Sequence, residues 1–156
     1  MGGTYFKNSN YLYSGLESLT WMYDVIHDKE KNIVSLIGND GWYHKNGEKA
    51  RFDQQPVEIP SIIDACYQAY LITEDMEWIN KMGLTFSWFL GNNERQEPMY
   101  DFTTGVCFDV LTSALTNQNQ GAESTLSFLL ALVTMLELSG EGSELTDVNV
   151  SEEVLA

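Results

Sequence analysis

The sequence predicts an all-α fold: an array of antiparallel helical hairpins with long polar loops and at most a short β-hairpin. Three observations carry this. Apolar residues recur at helical spacing in four stretches, near residues 12–26, 59–70, 79–89 and 122–136. The second and third are joined only by the corner Thr73-Glu74-Asp75, which makes neighbouring helices antiparallel. Amide-rich loops precede the second and the fourth, so the polar chemistry is expected at one end of the array.

In chain order, Leu12, Leu16, Leu19, Met22 and Ile26 define an amphipathic helix over residues 11–27, with Ser9 or Asn10 as cap. The charged turn at residues 28–32 leads to a short strand candidate at residues 33–37. Gly38-Asn39-Asp40-Gly41 and Asn46-Gly47 then signal turns around the aromatic group Trp42-Tyr43-His44. Ile59, Ile63, Cys66 and Tyr70 give the second helix its buried stripe, with Pro60 tolerable only in its first turn. Ile79, Met82, Phe86 and Phe89 form the stripe of the third, which Gly91 is placed to stop. Residues 92–116 form a long connection. Ala122, Leu126, Leu129, Val133 and Leu136 keep helical spacing in the fourth helix, and apolar residues fill most of its other faces, which predicts burial nearly all round.

The 156 residues suit one domain at residues 1–139, followed by an acidic tail at residues 140–156 that is expected to be mobile or weakly docked. An apolar content of 44% supports a real core. The net charge of −15 argues against nucleic acid and anionic membranes as partners. The longest apolar run, at residues 126–138, reads as too short and too interrupted to span a bilayer, and no signal core opens the chain. Cys66 and Cys107 make neither a disulfide framework nor a zinc signature, so a cytoplasmic, reducing setting is expected. There is no phosphate loop, no Gly-x-Ser-x-Gly elbow and no His–Glu metal helix, and no cofactor or metal is expected.

Two loops carry the candidate chemistry. Asp53-Gln54-Gln55 with Glu58, and Asn117 to Glu123, each set carboxamides and a carboxylate directly before a helix. A carboxamide offers a donor and an acceptor, which suits sugar hydroxyls. Glycoside cleavage needs two carboxyl groups. Among Asp53, Glu58, Asp101, Asp109 and Glu123, the two embedded in amides, Asp53 and Glu123, are the candidate catalytic residues. Their bland alternative is helix capping, or pairing with Arg51 or Lys49. The candidate binding residues are Gln54, Gln55, Glu58, Asp101, Asn117, Asn119 and Gln120, with Trp42, Tyr43 and Tyr100 as stacking surfaces.

Gly41-Trp42-Tyr43, the stretch Gly47 to Glu58, Tyr100-Asp101 and Asn119-Gln120-Gly121-Ala122-Glu123-Ser124-Thr125 together resemble the C-terminal helical module of bacterial glycosyltransferases. That module is a six-hairpin (α/α) toroid whose loops at one end line a sugar-binding funnel. The resemblance runs from Tyr5 to Leu138 and implies a partial toroid that handles an oligosaccharide. It also implies missing partners, the earlier hairpins or a transferase region. The alternative is a non-catalytic structural or protein-interaction module. An incomplete toroid has a raw edge, so Trp21, Tyr23, Trp78 and Trp88 are expected to face absent helices, and a homodimer through that edge is expected.

Overall fold

The computed structural model describes residues 5–39, 41, 43–114 and 117–140. Helix α1 (Ser9–Ile26) is capped by Asn8, whose side-chain oxygen accepts from the Asn10 amide at 3.0 Å. It runs directly into β1 (His27–Asp28), which pairs antiparallel with β2 (Ile33–Val34) across the charged turn. Helix α2 (Glu58–Thr73) takes Pro60 in its first turn and ends at Glu74 in the left-handed region, φ 57°. Helix α3 (Glu77–Ser87) follows at once and tightens into a 3₁₀ turn at Trp88–Leu90, where Gly91 at φ 105° stops it as its position predicts. Strands β3 (Tyr100–Asp101) and β4 (Val106–Cys107) form a second antiparallel pair, and α4 (Ala122–Ser139) closes the described chain at Gly140.

The hairpin array does not form, and the partial toroid goes with it. The described residues hold four α-helices and two small antiparallel strand pairs, with a single helical hairpin, α2–α3, against which α4 packs. The long connections explain the difference. They are not loops hung on the ends of helices, because Ile33, Val34, Leu36, Met99, Cys107 and Leu111 are buried in the same core as Ile59, Ile63 and Met82. Gln54 and Leu111 join the two connections through an isolated bridge, exchanging N–H···O bonds of 3.2 and 2.9 Å. Buried extended backbone has to pair somewhere, and here it pairs across the hairpin rather than with more helices.

The raw edge is not where the sequence suggests. Tyr23, Trp78 and Trp88 are buried within the one chain, and of the four only Trp21, at 48%, is exposed. The Tyr23 hydroxyl donates to the Lys81 carbonyl at 3.0 Å and fastens α1 to α3. The expectation for α4 is also overturned. Ser124, Ser127, Phe128 and Ala131 form its buried face, while Leu126, Leu129, Leu130 and Val133 are exposed at 56%, 44%, 52% and 52%. Phe128 anchors the inner face, with its ring 5.2 Å from Phe89, 5.7 Å from Phe86 and stacked 3.7 Å from Tyr100. Because α4 begins at Ala122, it is longer than the run at residues 126–138. By length and composition alone it could cross a membrane, as no other helix among the described residues could.

Candidate functional site

The candidate site grows from the N-terminal ends of α2 and α4. The amide loop before α4 is folded back by Asp109. The Asp109 amide donates to the Asn119 carbonyl at 3.0 Å, and the Asn117 amide donates to the Val110 carbonyl at 2.9 Å. The Asp109 carboxylate then accepts from the Gly121 amide at 2.7 Å, from the Ser124 hydroxyl at 2.6 Å and from the Asn119 side-chain amide. Desolvation pushes the Asp109 carboxyl up, yet the bonds from Ser124, Gly121 and Asn119 outweigh it and hold the pKa below its ordinary value. Asp109 thus caps α4 from twelve residues upstream of Gly121, which has no side chain of its own to do so. A Cβ at Gly121 would meet the carboxylate at 2.7 Å, so a larger residue there would push the Asp109 side chain aside.

This fold-back leaves a cavity of about 320 Å³ between the two helix starts, lined by Gln55, Pro56 and Val57 on one side and by Asp109, Asn117 and Glu123 on the other. One residue from each amide loop therefore faces the same space. A second, larger cavity of about 610 Å³ opens on the other side of the α2 start, against Ile37, Gly38, Asn39, Tyr43 and Glu58. Its shape depends on Gly38, where a Cβ would lie 1.7 Å from the Phe52 carbonyl oxygen, so the backbone at residues 38–39 can lie flat on residues 50–53. Burial pushes the Glu58 carboxyl up from its ordinary value. The Tyr43 ring is half-buried and leans on Trp21, centroids 6.2 Å apart.

Other candidates are placed elsewhere. Gln54 is fully buried, and its side chain is used within the chain: the Oε1 accepts from the Leu36 amide at 3.1 Å and from Trp88 Nε1 at 2.9 Å, and the Nε2 donates to the Arg51 carbonyl at 2.6 Å. Asp53 is exposed in a left-handed turn, φ 60°, and is not among the residues lining either cavity. Asp101 accepts from the Thr103 amide and the Thr104 hydroxyl, both at 2.8 Å, and these bonds lower its pKa. The Tyr100 ring lies against Phe128. Asn119 is tied to Asp109, and Gln120 is exposed. Trp42 lies outside the described residues, as does the acidic tail beyond Gly140. Lys49 and Arg51, weighed as partners for Asp53, turn elsewhere: Arg51 Nη2 stands 2.7 Å from Glu94, and Lys49 donates to the Ser35 carbonyl.

Asn39 is absent from the sequence-based candidates, because it sits in a stretch that announces only a turn. Asp109 has no special place among them either, since a cap supplied from twelve residues away has no local signature. Among the described residues, no cluster of three His, Cys, Asp or Glu side chains could hold a metal ion. No protein-family model matches the chain, and no curated protein matches it.

Proposed function

We propose that this chain is a carbohydrate-binding module that holds a short, uncharged glycan at the α2 and α4 starts without cleaving it. The observation that carries the reading is the 320 Å³ cavity, which brings Gln55, Asn117 and Glu123 together beside Pro56 and Val57, with the Asn117 side-chain oxygen already accepting from the Asn119 amide at 2.9 Å. Amides and carboxylates that alternate donors with acceptors, next to a small apolar wall, match a sugar ring with hydroxyls at its rim and C–H groups on its face. The acidic balance of the chain disfavours anionic ligands.

Binding is favoured over hydrolysis for a specific reason. Cleavage needs two carboxyl groups with separate duties, one protonated and one free to act as base or nucleophile. The carboxylates at this cavity are Glu123 and Asp109, and Asp109 is held in its charged form by three hydrogen bonds as a helix cap. Asp53, the other catalytic candidate, does not line the cavity. The motif resemblance to the helical modules of bacterial glycosyltransferases supports a glycan as ligand and a transferase as the protein this module would serve. The two free, buried thiols suit a cytoplasmic setting for it.

The test is a glycan-array screen followed by calorimetric titration of the best neutral oligosaccharide. Gln55→Ala and Glu123→Gln are each expected to weaken binding by about five- to tenfold, as the loss of one hydrogen bond should. No new reducing ends should appear on prolonged incubation. A protein that binds no glycan at millimolar concentration, or one that releases sugar, would end this reading.

A further inference from the structure

Helix α4 buries two serines beside Phe128 and Ala131 on its inner face and leaves large apolar side chains on its outer one. Ser124 and Ser127 are buried, and the Ser124 hydroxyl donates to Asp109 at 2.6 Å, which with the packing of Phe128 fixes the helix in this rotation. The solvent face carries Ala122, Leu126, Leu129 and Val133, with the half-buried Leu136 next in line, and these follow one another at alternating steps of four and three residues. That alternation places them at the a and d positions of a heptad, the spacing with which one helix packs along another. With Leu126 and Val133 at a and Leu129 and Leu136 at d, Leu130 sits beside the seam and is exposed like its neighbours.

The charge along the seam decides what can cover it. Glu123 and Glu137 both fall at e, flanking the seam two heptads apart, and α4 contains no Lys or Arg. If a second copy lay antiparallel about Leu130, Glu123 of one would meet Glu137 of the other, and two bodies of net charge −15 would be brought together. Like charges at such positions set partner choice against self-pairing, and opposite charges steer a correct partner in.

We propose that the solvent face of α4 is a docking seam for an amphipathic α-helix of a partner protein, with apolar residues at a and d and Lys or Arg at the flanking positions. The seam shares Ala122 and Glu123 with the lining of the glycan cavity, whereas Leu126, Leu129 and Val133 lie outside that lining.

The probe is a synthetic three-heptad peptide with leucine at a and d and lysine at e and g, compared with a twin carrying glutamate at e and g. Both are titrated by fluorescence anisotropy at physiological salt. The lysine peptide is expected to bind at least roughly tenfold more tightly than its twin. Leu126→Glu and Leu126→Gln are each expected to weaken it by roughly tenfold or more, with helical circular dichroism unchanged because Leu126 is 56% exposed. The glutamate variant makes the protein more acidic, so a merely electrostatic capture of the peptide would strengthen instead. Undiminished binding by both variants would overturn the proposal. A wild-type dimer that Leu126→Glu dissociates in sedimentation would assign the seam to a second copy and overturn it too. Flotation with phosphatidylcholine vesicles that depends on Leu126 would assign the face to lipid and overturn it likewise.

Discussion

The Trp88 indole N–H is held by the Gln54 side-chain oxygen at 2.9 Å, in a place where neither residue is exposed. The same amide also serves the Leu36 N–H and the Arg51 carbonyl, and the Gln54 backbone pairs with Leu111, so one glutamine joins both long connections to the helical hairpin. Gln54→Leu strands two buried donors, the Leu36 amide and the Trp88 indole N–H, each worth about 1–3 kcal/mol. The variant is expected to lose about 3–5 kcal/mol in urea unfolding. A loss below about 1 kcal/mol would show that these groups find other partners.

Asp109→Ala removes the cap of α4 and the brace of the Asn117–Gly121 loop together. Caps are worth about 1–2 kcal/mol. The stability loss should fall in that range, while glycan affinity falls further than stability, because the loop that carries Asn117 is no longer held against the α2 start. Equal glycan affinity in the variant, measured well below its melting temperature, would separate the cap from the site.

Glu94 makes folding pH-dependent. Its side chain is 3% exposed, and burial alone would raise its pKa, but bonds from Arg51, Lys31 and Ser35 bring the carboxyl down to about 2 from an ordinary 4.5. A depressed folded pKa means that this stabilisation is complete above about pH 4.5 and fades as pH falls towards 2. It is worth about 2–3 kcal/mol, below the full linkage value because the Lys31 and Arg51 side chains are half or more open to solvent screening. Glu94→Gln should lower neutral-pH stability by about that amount and flatten the pH profile across the window. An unchanged slope between pH 2 and 4.5 would shift the acid sensitivity to other carboxyls.

Cys66 and Cys107 are both fully buried, and desolvation pushes each thiol to about 12. Thiolate is the reactive form, so neither should react with a disulfide reagent in the native protein at neutral pH. Both should appear once the chain is unfolded in guanidinium. Rapid native labelling of one of them would reveal a local opening around α2 or β4.

Some of this architecture is legible in the sequence. The corner at Thr73 to Asp75, the stripe through Met82 and Phe89 and the stop at Gly91 are all local signals, and each is met in place. What is not legible is tertiary. Gln54 and Gln55 are adjacent amides with the same local chemistry, yet one is locked in the core and the other lines a cavity. Only the crossing of Leu36 and Trp88 at that point separates them. In α4 nearly every face is apolar, so periodicity cannot say which face the hairpin will cover. Ser124 turns inward because Asp109 is there to receive it, and Ser127 satisfies its hydroxyl within the helix, on the Glu123 carbonyl. The tryptophans that suggest a raw edge lie off their stripes only when the stripes are drawn for helix neighbours. Extended segments at Leu36 and Met99 share the core that buries Trp88.

The Gln54–Leu111 bridge joins residues 57 positions apart (111 − 54), and the whole α2–α3 hairpin hangs between its two ends. Closing a loop of that length has an entropic cost of about 3–4 kcal/mol, which no local contact repays. The helical hairpin, whose contacts are near in sequence, can form early, whereas the bridge waits until Trp88 and Leu36 bring Gln54 into place. Substitutions at Leu111 should therefore speed unfolding far more than they slow folding, with φ-values near zero there and higher values along α2 and α3. A chain of stacked repeats could gain or lose a unit and refold piecemeal. Here the two long connections are fixed to each other only when this one long loop closes.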